Sequence, residues 1–219
     1  ILLEKKECVA YPPLNRPDQL NALNSAVLKE LDVALAAIDG DAEIRVLVVR
    51  GAGEKALAAG ADITEMQSME AEAGMAFGAF GQKVFAKIEA LRQPSIAMIP
   101  GFALGGGCEL ALACDIRIAS EKARFGQPEV GLGITAGFGG TQRLPRLVGR
   151  GAASLLLFSG NMIAAAEALR IGLVAKIVPH DALAAEVSAL AAGIARQARC
   201  AVQPTKRSIR HGPTSGLDS

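Results

Sequence analysis

The 219 residues carry 23 Lys and Arg against 22 Asp and Glu, a formal net charge of +1, so no global field draws the chain to nucleic acid or to an anionic membrane. Hydrophobic residues make up 51% of it, but charge or glycine interrupts them every few positions and no run is long enough to span a bilayer, so they read as core. The four cysteines, Cys8, Cys108, Cys114 and Cys200, show neither C-x-x-C spacing nor a histidine cluster beside them, which favours reduced thiols over disulfides or zinc.

The N-terminus shows no charged segment leading into an apolar one, as a secretory leader would. It begins at Ile1, as expected of a trimmed chain or of one whose first residues lie outside this sequence. Residues 21–39 place Leu23, Val27, Leu31, Leu35 and Ile38 three to four apart, the stripe of an amphipathic helix. Short β-branched runs at 44–49 and 95–99 have the length of buried strands. A helical stretch is expected over 65–91 between them, and a further strand over 115–119. Beyond Gly151 the chain reads as mainly helical with one strand at 174–178.

Strands alternating with helices predict an α/β fold with largely parallel pairing. The division expected is a core over 1–150 and a helical region over 151–219, with the last residues, HGPTSGLDS, frayed or truncated. Tyr11-Pro12-Pro13 predicts an edge or interrupted strand, because proline cannot donate to a ladder. His180 and His211 are expected at the surface without a part in chemistry.

Three segments stand out as chemistry. In GFALGGGCELALACD, residues 101–115, three successive glycines open a run of helix formers. Glycine there permits positive φ and lets a ligand lie against main-chain N–H groups at a helix N-terminus, where negative charge is favoured. A tight turn packed closely is the plainer reading of the glycines alone. The G-x-G-x-x-G order of a dinucleotide site is absent. Glu109 falls in the first turn of that helix and is followed by LALAC, which predicts a buried carboxylate with a raised pKa. The second segment, FGQPEVGLGITAGFGGTQRL over 125–144, holds one carboxylate, Glu129, behind Pro128. The third, KALAAGADITEM over 55–66, exposes backbone around Ala59-Gly60-Ala61, with Asp62 placed to cap the following helix.

Together with NRPDQLNALN at 15–24 and the segment ending at Pro179, these motifs closely resemble the crotonase (enoyl-CoA hydratase/isomerase) family, in order and in spacing, over most of the chain. The resemblance implies a spiral of β-β-α units followed by a C-terminal helical region that mediates assembly into a homotrimer or hexamer. It implies an oxyanion hole for a thioester oxygen from the N–H groups of Ala61 and Gly106. It places an acid/base pair on Glu109, which activates water, and Glu129, which protonates the α-carbon. Coenzyme A contacts fall on Ala59, Ala61, Asp62, Ile63, Gly105 and Gly106.

The activity implied is hydration of 2-enoyl-CoA, in the cytoplasm, or in a mitochondrial matrix after loss of a transit peptide. No metal or redox cofactor is called for, since coenzyme A belongs to the substrate. Both glutamates together favour hydration over double-bond isomerisation. A non-catalytic RNA-binding member would need a basic patch, for which Lys206, Arg207 and Arg210 are the clearest cluster. Family members continue some tens of residues past the position of Asp218 with a helical tail. Ala136 stands where proline is common in the hydratases, and Pro100 replaces a polar residue.

Overall fold

The computed structural model describes residues 4–211, and its first elements are short strands: β1 (Glu4–Lys6), β2 (Val9–Tyr11) and β3 (Pro13–Leu14). Pro12 interrupts the ladder between β2 and β3, as its missing N–H requires. Helix α1 (Ser25–Gly40) follows, starting four residues later than the apolar stripe suggests. Asn24 accepts from the N–H of Val27 at 2.9 Å and so caps the helix. Leu23 belongs instead to an isolated bridge with Ala61.

Three times in succession the chain then lays down two strands and a helical segment. The first unit is β4 (Val46–Gly51), β5 (Ala56–Ala58), α2 (Ile63–Met66) and α3 (Ala71–Ala90). The second is β6 (Ser95–Ile99), β7 (Phe102–Leu104) and α4 (Gly106–Ala113). The third is β8 (Ile116–Ser120), β9 (Arg124–Gly126), a 3-10 turn at Pro128–Leu132 and α5 (Gly140–Ser159). The first strand of each unit enters one sheet and the second enters another. β4, β6 and β8 pair in parallel, as do β5, β7 and β9. This is the β-β-α spiral.

Among the described residues the larger sheet has seven strands in the order β1-β2-β4-β6-β8, closed by β11 (Lys176–Val178), with β3 beside β4. The smaller has four, β10-β9-β7-β5, where β10 is Ile163–Ala164. Helices α6 (Ala165–Arg170), α7 (Leu183–Ala195) and α8 (Arg199–His211) complete the helical end. Strand β4 is apolar on both faces because both are covered. Leu47 and Val49 face the main core with α1, α3 and α4, while Val46 and Val48 meet Leu183, Val187 and Ala191 of α7.

The single helix expected over 65–91 is broken between α2 and α3. The Ser68 hydroxyl donates to the Glu65 carbonyl at 2.8 Å, taking an acceptor that a continuing helix would use. Helix α5 is interrupted at Gly149, whose φ is +78°. Asp115, expected to begin a strand, precedes β8 and holds the N–H and hydroxyl of Ser95 at 2.7 and 2.8 Å. His180, expected at the surface, is half-buried, with Nδ1 3.3 Å from the Ser120 hydroxyl. The side chain of His211 lies outside the described residues.

Candidate active site

Helix α4 is buried along its whole length, so both of its ends must satisfy their polar groups within the protein. At the C-terminal end the Arg117 guanidinium donates to the carbonyls of Cys114 (2.6 Å) and Ala111 (3.4 Å), and also to that of Leu173 (2.7 Å). A cation there complements the helix dipole. At the N-terminal end lie the three glycines. Gly105 has φ +49°, and a Cβ on it would stand 2.7 Å from Glu129 Oε1; a Cβ on Gly107 would meet the Ala58 carbonyl oxygen at 1.9 Å. A side chain at 107 is barred by the main chain of a neighbouring strand, whereas one at 105 would strain the backbone and push the Glu129 carboxyl aside.

The same turn of α4 carries Glu109, only 1% exposed. Its Oε1 accepts from the N–H groups of Phe138 (2.8 Å) and Gly140 (2.7 Å). Burial nonetheless dominates. It pushes the Glu109 carboxyl up to about 7, against the two N–H donors, and the nearby Glu129 charge acts in the same direction as burial. Glu129, in the 3-10 turn after β9, is half-buried, and burial raises its proton affinity too. With its amide nitrogen turned toward Glu129, the buried Gln127 donates to Oε1 and Oε2 at 3.2 and 3.1 Å.

A cavity of about 690 Å³ brings most of the predicted residues together. Ala59, Ala61, Ile63, Gly105, Gly106, Glu109 and Glu129 line it, and its remaining wall is largely apolar, from Met66, Phe77, Leu132 and Ile134. Asp62 is not in the wall. Its carboxylate accepts from the N–H groups of Thr64 and Glu65, capping α2, and pairs with Arg16 at 2.8 Å, which holds its pKa below the usual range.

The Leu23–Ala61 bridge is made by Leu23 N–H to Gly60 O (2.8 Å) and Asp62 N–H to Leu23 O (2.9 Å), so the N–H of Ala61 takes no part in it. Gly106 is the first residue of α4, where an N–H has no carbonyl within the helix. Among the described residues, neither amide donates to a main-chain acceptor. Two main-chain amides without a main-chain acceptor and two carboxylates of raised proton affinity therefore line one largely apolar cavity.

The chain matches the family model described as enoyl-CoA hydratase/isomerase over residues 4–218. The chain belongs to the enoyl-CoA hydratase/isomerase family. Within that family it is 52% identical over 219 residues to a short-chain-enoyl-CoA hydratase of Clostridium acetobutylicum, covering 100% of this chain and 84% of that protein. It is 50% identical over 218 residues to a crotonyl-CoA hydratase of Syntrophomonas wolfei, with 100% and 84% covered. Among solved structures, an enoyl-CoA hydratase from Bacillus anthracis superposes with a TM-score of 0.96 at 42% identity, covering 99% of this chain and 84% of that one. This family member thus has the spiral fold that its motifs predict.

Gln127 and the main-chain N–H groups of Phe138 and Gly140 are the site groups that the sequence reading missed. A backbone donor 29 or 31 residues from its acceptor has no residue-type signature. Gln127 alone left a trace, as a polar residue directly after the buried pair Phe125-Gly126.

Proposed function

We propose that the chain is an enoyl-CoA hydratase, adding water across the double bond of short 2-enoyl-CoA thioesters in the cytoplasm. The observation that carries this reading is the placement of Glu109 and Glu129 on one apolar cavity with two main-chain amides that, among the described residues, donate to no main-chain acceptor. The thioester oxygen would lie between the N–H groups of Ala61 and Gly106, which stabilise the enolate-like transition state; one such donor is worth about 3 to 4 kcal/mol. Water held between the carboxylates loses a proton to Glu109 as its oxygen bonds to the β-carbon. Glu129 gives a proton to the α-carbon, and the enolate collapses to the 3-hydroxyacyl thioester.

The proton inventory makes a specific demand. Glu109 must be ionised to act as base, yet burial places its pKa near 7. The two carboxyls interact, so they titrate as a pair. Activity should therefore rise as pH climbs through neutrality. Coenzyme A enters as part of the substrate, its adenylate end beside Ala59, Ala61 and Ile63 and the main chain of Asp62. No step of this reaction requires a metal or redox cofactor. The assembly proposed is a homotrimer or a dimer of trimers, mediated by the helical region after residue 150. Leu155, Phe158 and Met162, exposed apolar side chains on and beyond α5, support that reading.

The test is the ultraviolet absorbance of crotonyl-CoA in the presence of the protein. Loss of the conjugated enoyl absorbance with the native chain, and a fall on the order of 10²- to 10⁴-fold in both Glu109→Gln and Glu129→Gln, is the expected result. Folded protein without hydration, but with conversion of 3-enoyl-CoA to 2-enoyl-CoA, would make the chain an isomerase instead.

A further inference from the structure

Helix α3 forms one wall of the cavity through Gly74, Met75, Phe77, Gly78, Ala79 and Gln82. The same helix grips the peptide that feeds Glu109. Gln82 donates to the Gly137 carbonyl at 2.8 Å, and Glu89 pairs with Arg143, which donates to the Phe138 carbonyl at 2.7 Å. The Phe138 ring meets Phe77 and Phe85, both on α3, edge to face at 5.3 and 5.4 Å. It lies in a notch that only glycine leaves open. A Cβ on Gly81 would stand 2.3 Å from Phe138 Cδ1 and 2.4 Å from Cε1.

Glycine in the middle of a 20-residue helix is unfavourable on its own account, so this notch is the physical use of Gly81. On its other side the ring presses on Gly106, where a Cβ would lie 3.0 Å from Cδ2 and Cε2. The N–H of Phe138 is one of the two donors to Glu109.

We propose that Phe138, seated in the Gly81 notch, is a positioning residue that ties the cavity wall to the reacting groups, fixing Glu109 through its N–H and Gly106 through its ring. The inference rests on the hydratase reading for the roles of Glu109 and Gly106, but its geometry does not. Filling the notch displaces the ring and carries the N–H away from Glu109, at the part of the cavity wall that Phe138 shares with Glu109 and Gly106. The consequence falls on the chemical step rather than on binding, because a misplacement of about 1 Å is costly only where atoms react.

The experiment compares Gly81→Ala, Phe138→Leu and the double variant. For Gly81→Ala the expected kcat is lower by on the order of 10- to 100-fold, with KM within about threefold. The ascending limb of the pH profile should move up by roughly half a unit to one unit, as Glu109 loses a donor to its ionised form. Phe138→Leu in the Gly81→Ala background should return the limb and recover part of the lost kcat, since leucine has no ring edge in the notch and leaves the N–H in place but lacks the ring that lies against Gly106. A loss of thermal stability with KM, kcat per folded molecule and limb unchanged would overturn the proposal, as would failure of the double variant to recover.

If Gly81→Ala does not fold, Phe138→Ala carries the test, and a native kcat and pH limb in it would overturn the idea equally. Titration of the Glu109 carboxyl carbon by NMR, assigned by its loss in Glu109→Gln, separates this proposal from the hydratase reading. A native chain without hydratase turnover would reject that reading. An upward Glu109 titration in Gly81→Ala would still uphold the positioning role, and an unmoved one would sink it.

Discussion

Glu109 Oε1 stands 2.7 Å from the main-chain nitrogen of Gly140, the first residue of α5, so a carboxylate carried by one helix sits at the N-terminus of another. That end of the dipole favours the ionised form. Burial opposes it and wins, leaving the carboxyl near 7 rather than at its ordinary 4.5. Between those two values the folded chain holds a proton that the unfolded chain releases, so stability falls as pH rises from 4.5 to 7 and the full penalty persists above. Glu109→Gln keeps an acceptor for both N–H groups and removes the charge. It should be more stable than the native chain at about pH 8, by up to on the order of 3 kcal/mol, and by under about 1 kcal/mol at about pH 5. Urea unfolding at the two pH values checks this; a gap that does not widen with pH would mean that Glu109 ionises without penalty.

Gly105 offers a way to move the other carboxylate without touching it. At φ +49°, and with Glu129 Oε1 only 2.7 Å from a Cβ, alanine there both strains the backbone and displaces the carboxyl. Gly105→Ala is expected to cost about 1–3 kcal/mol of stability and on the order of 10²-fold in crotonyl-CoA hydration. Combined with Glu129→Gln, it should add little further loss of rate, because the two changes act on one group. Fully additive losses would place the effect of Gly105 elsewhere.

Gln127 faces both oxygens of Glu129 and favours its ionised form. Methionine has similar length and no donor. Gln127→Met should therefore raise the proton affinity of Glu129 and move the descending limb of the pH–rate bell upward by roughly half a unit to one unit. A bell that stays in place, with only its height changed, would show that Gln127 acts on packing alone.

How far the sequence discloses this arrangement depends on whether a residue's type or its surroundings carry the information. The α1 stripe and the β4 and β6 runs are legible because side-chain periodicity is fixed by backbone geometry. Glu109 is legible because three glycines before an apolar helix signal accessible amides. Its boundaries are less so: α1 starts at Ser25 rather than 21 because the Asn24 side chain caps it, a choice among local partners that periodicity does not register. The Ser68 hydroxyl that ends the first helical segment is of the same kind. Direction of charge is also hidden. Lys206 counts toward a basic cluster in sequence, whereas in the fold it points inward; its one sequence signal is Val202, four residues earlier and on the same helical face.

That inward lysine makes the last prediction. Lys206 Nζ lies 2.8 Å from Asp115 Oδ2, with the carbonyls of Gln93 and Ile88 at 2.9 and 3.3 Å, and its side chain is 8% exposed. It pins α8 to the end of α3 and the start of β6. Asp115 is 33% exposed and keeps its two hydrogen bonds from Ser95, so Lys206→Met should cost about 1–3 kcal/mol in urea unfolding, mostly through the buried carbonyls of Gln93 and Ile88 that lose their donor. Arg207→Gln and Arg210→Gln, at exposed neighbouring positions, should stay within about 0.5 kcal/mol of the native chain. Adding Asp115→Asn to Lys206→Met should cost less than the sum of the two single changes, since both act on one ion pair. The pairing also removes Lys206 from any anion-binding surface, leaving Arg207 and Arg210 as the exposed remainder of the C-terminal cluster. A cost under about 1 kcal/mol for Lys206→Met would show that α8 is not held at this point and would return the lysine to the basic surface that an RNA-binding role requires.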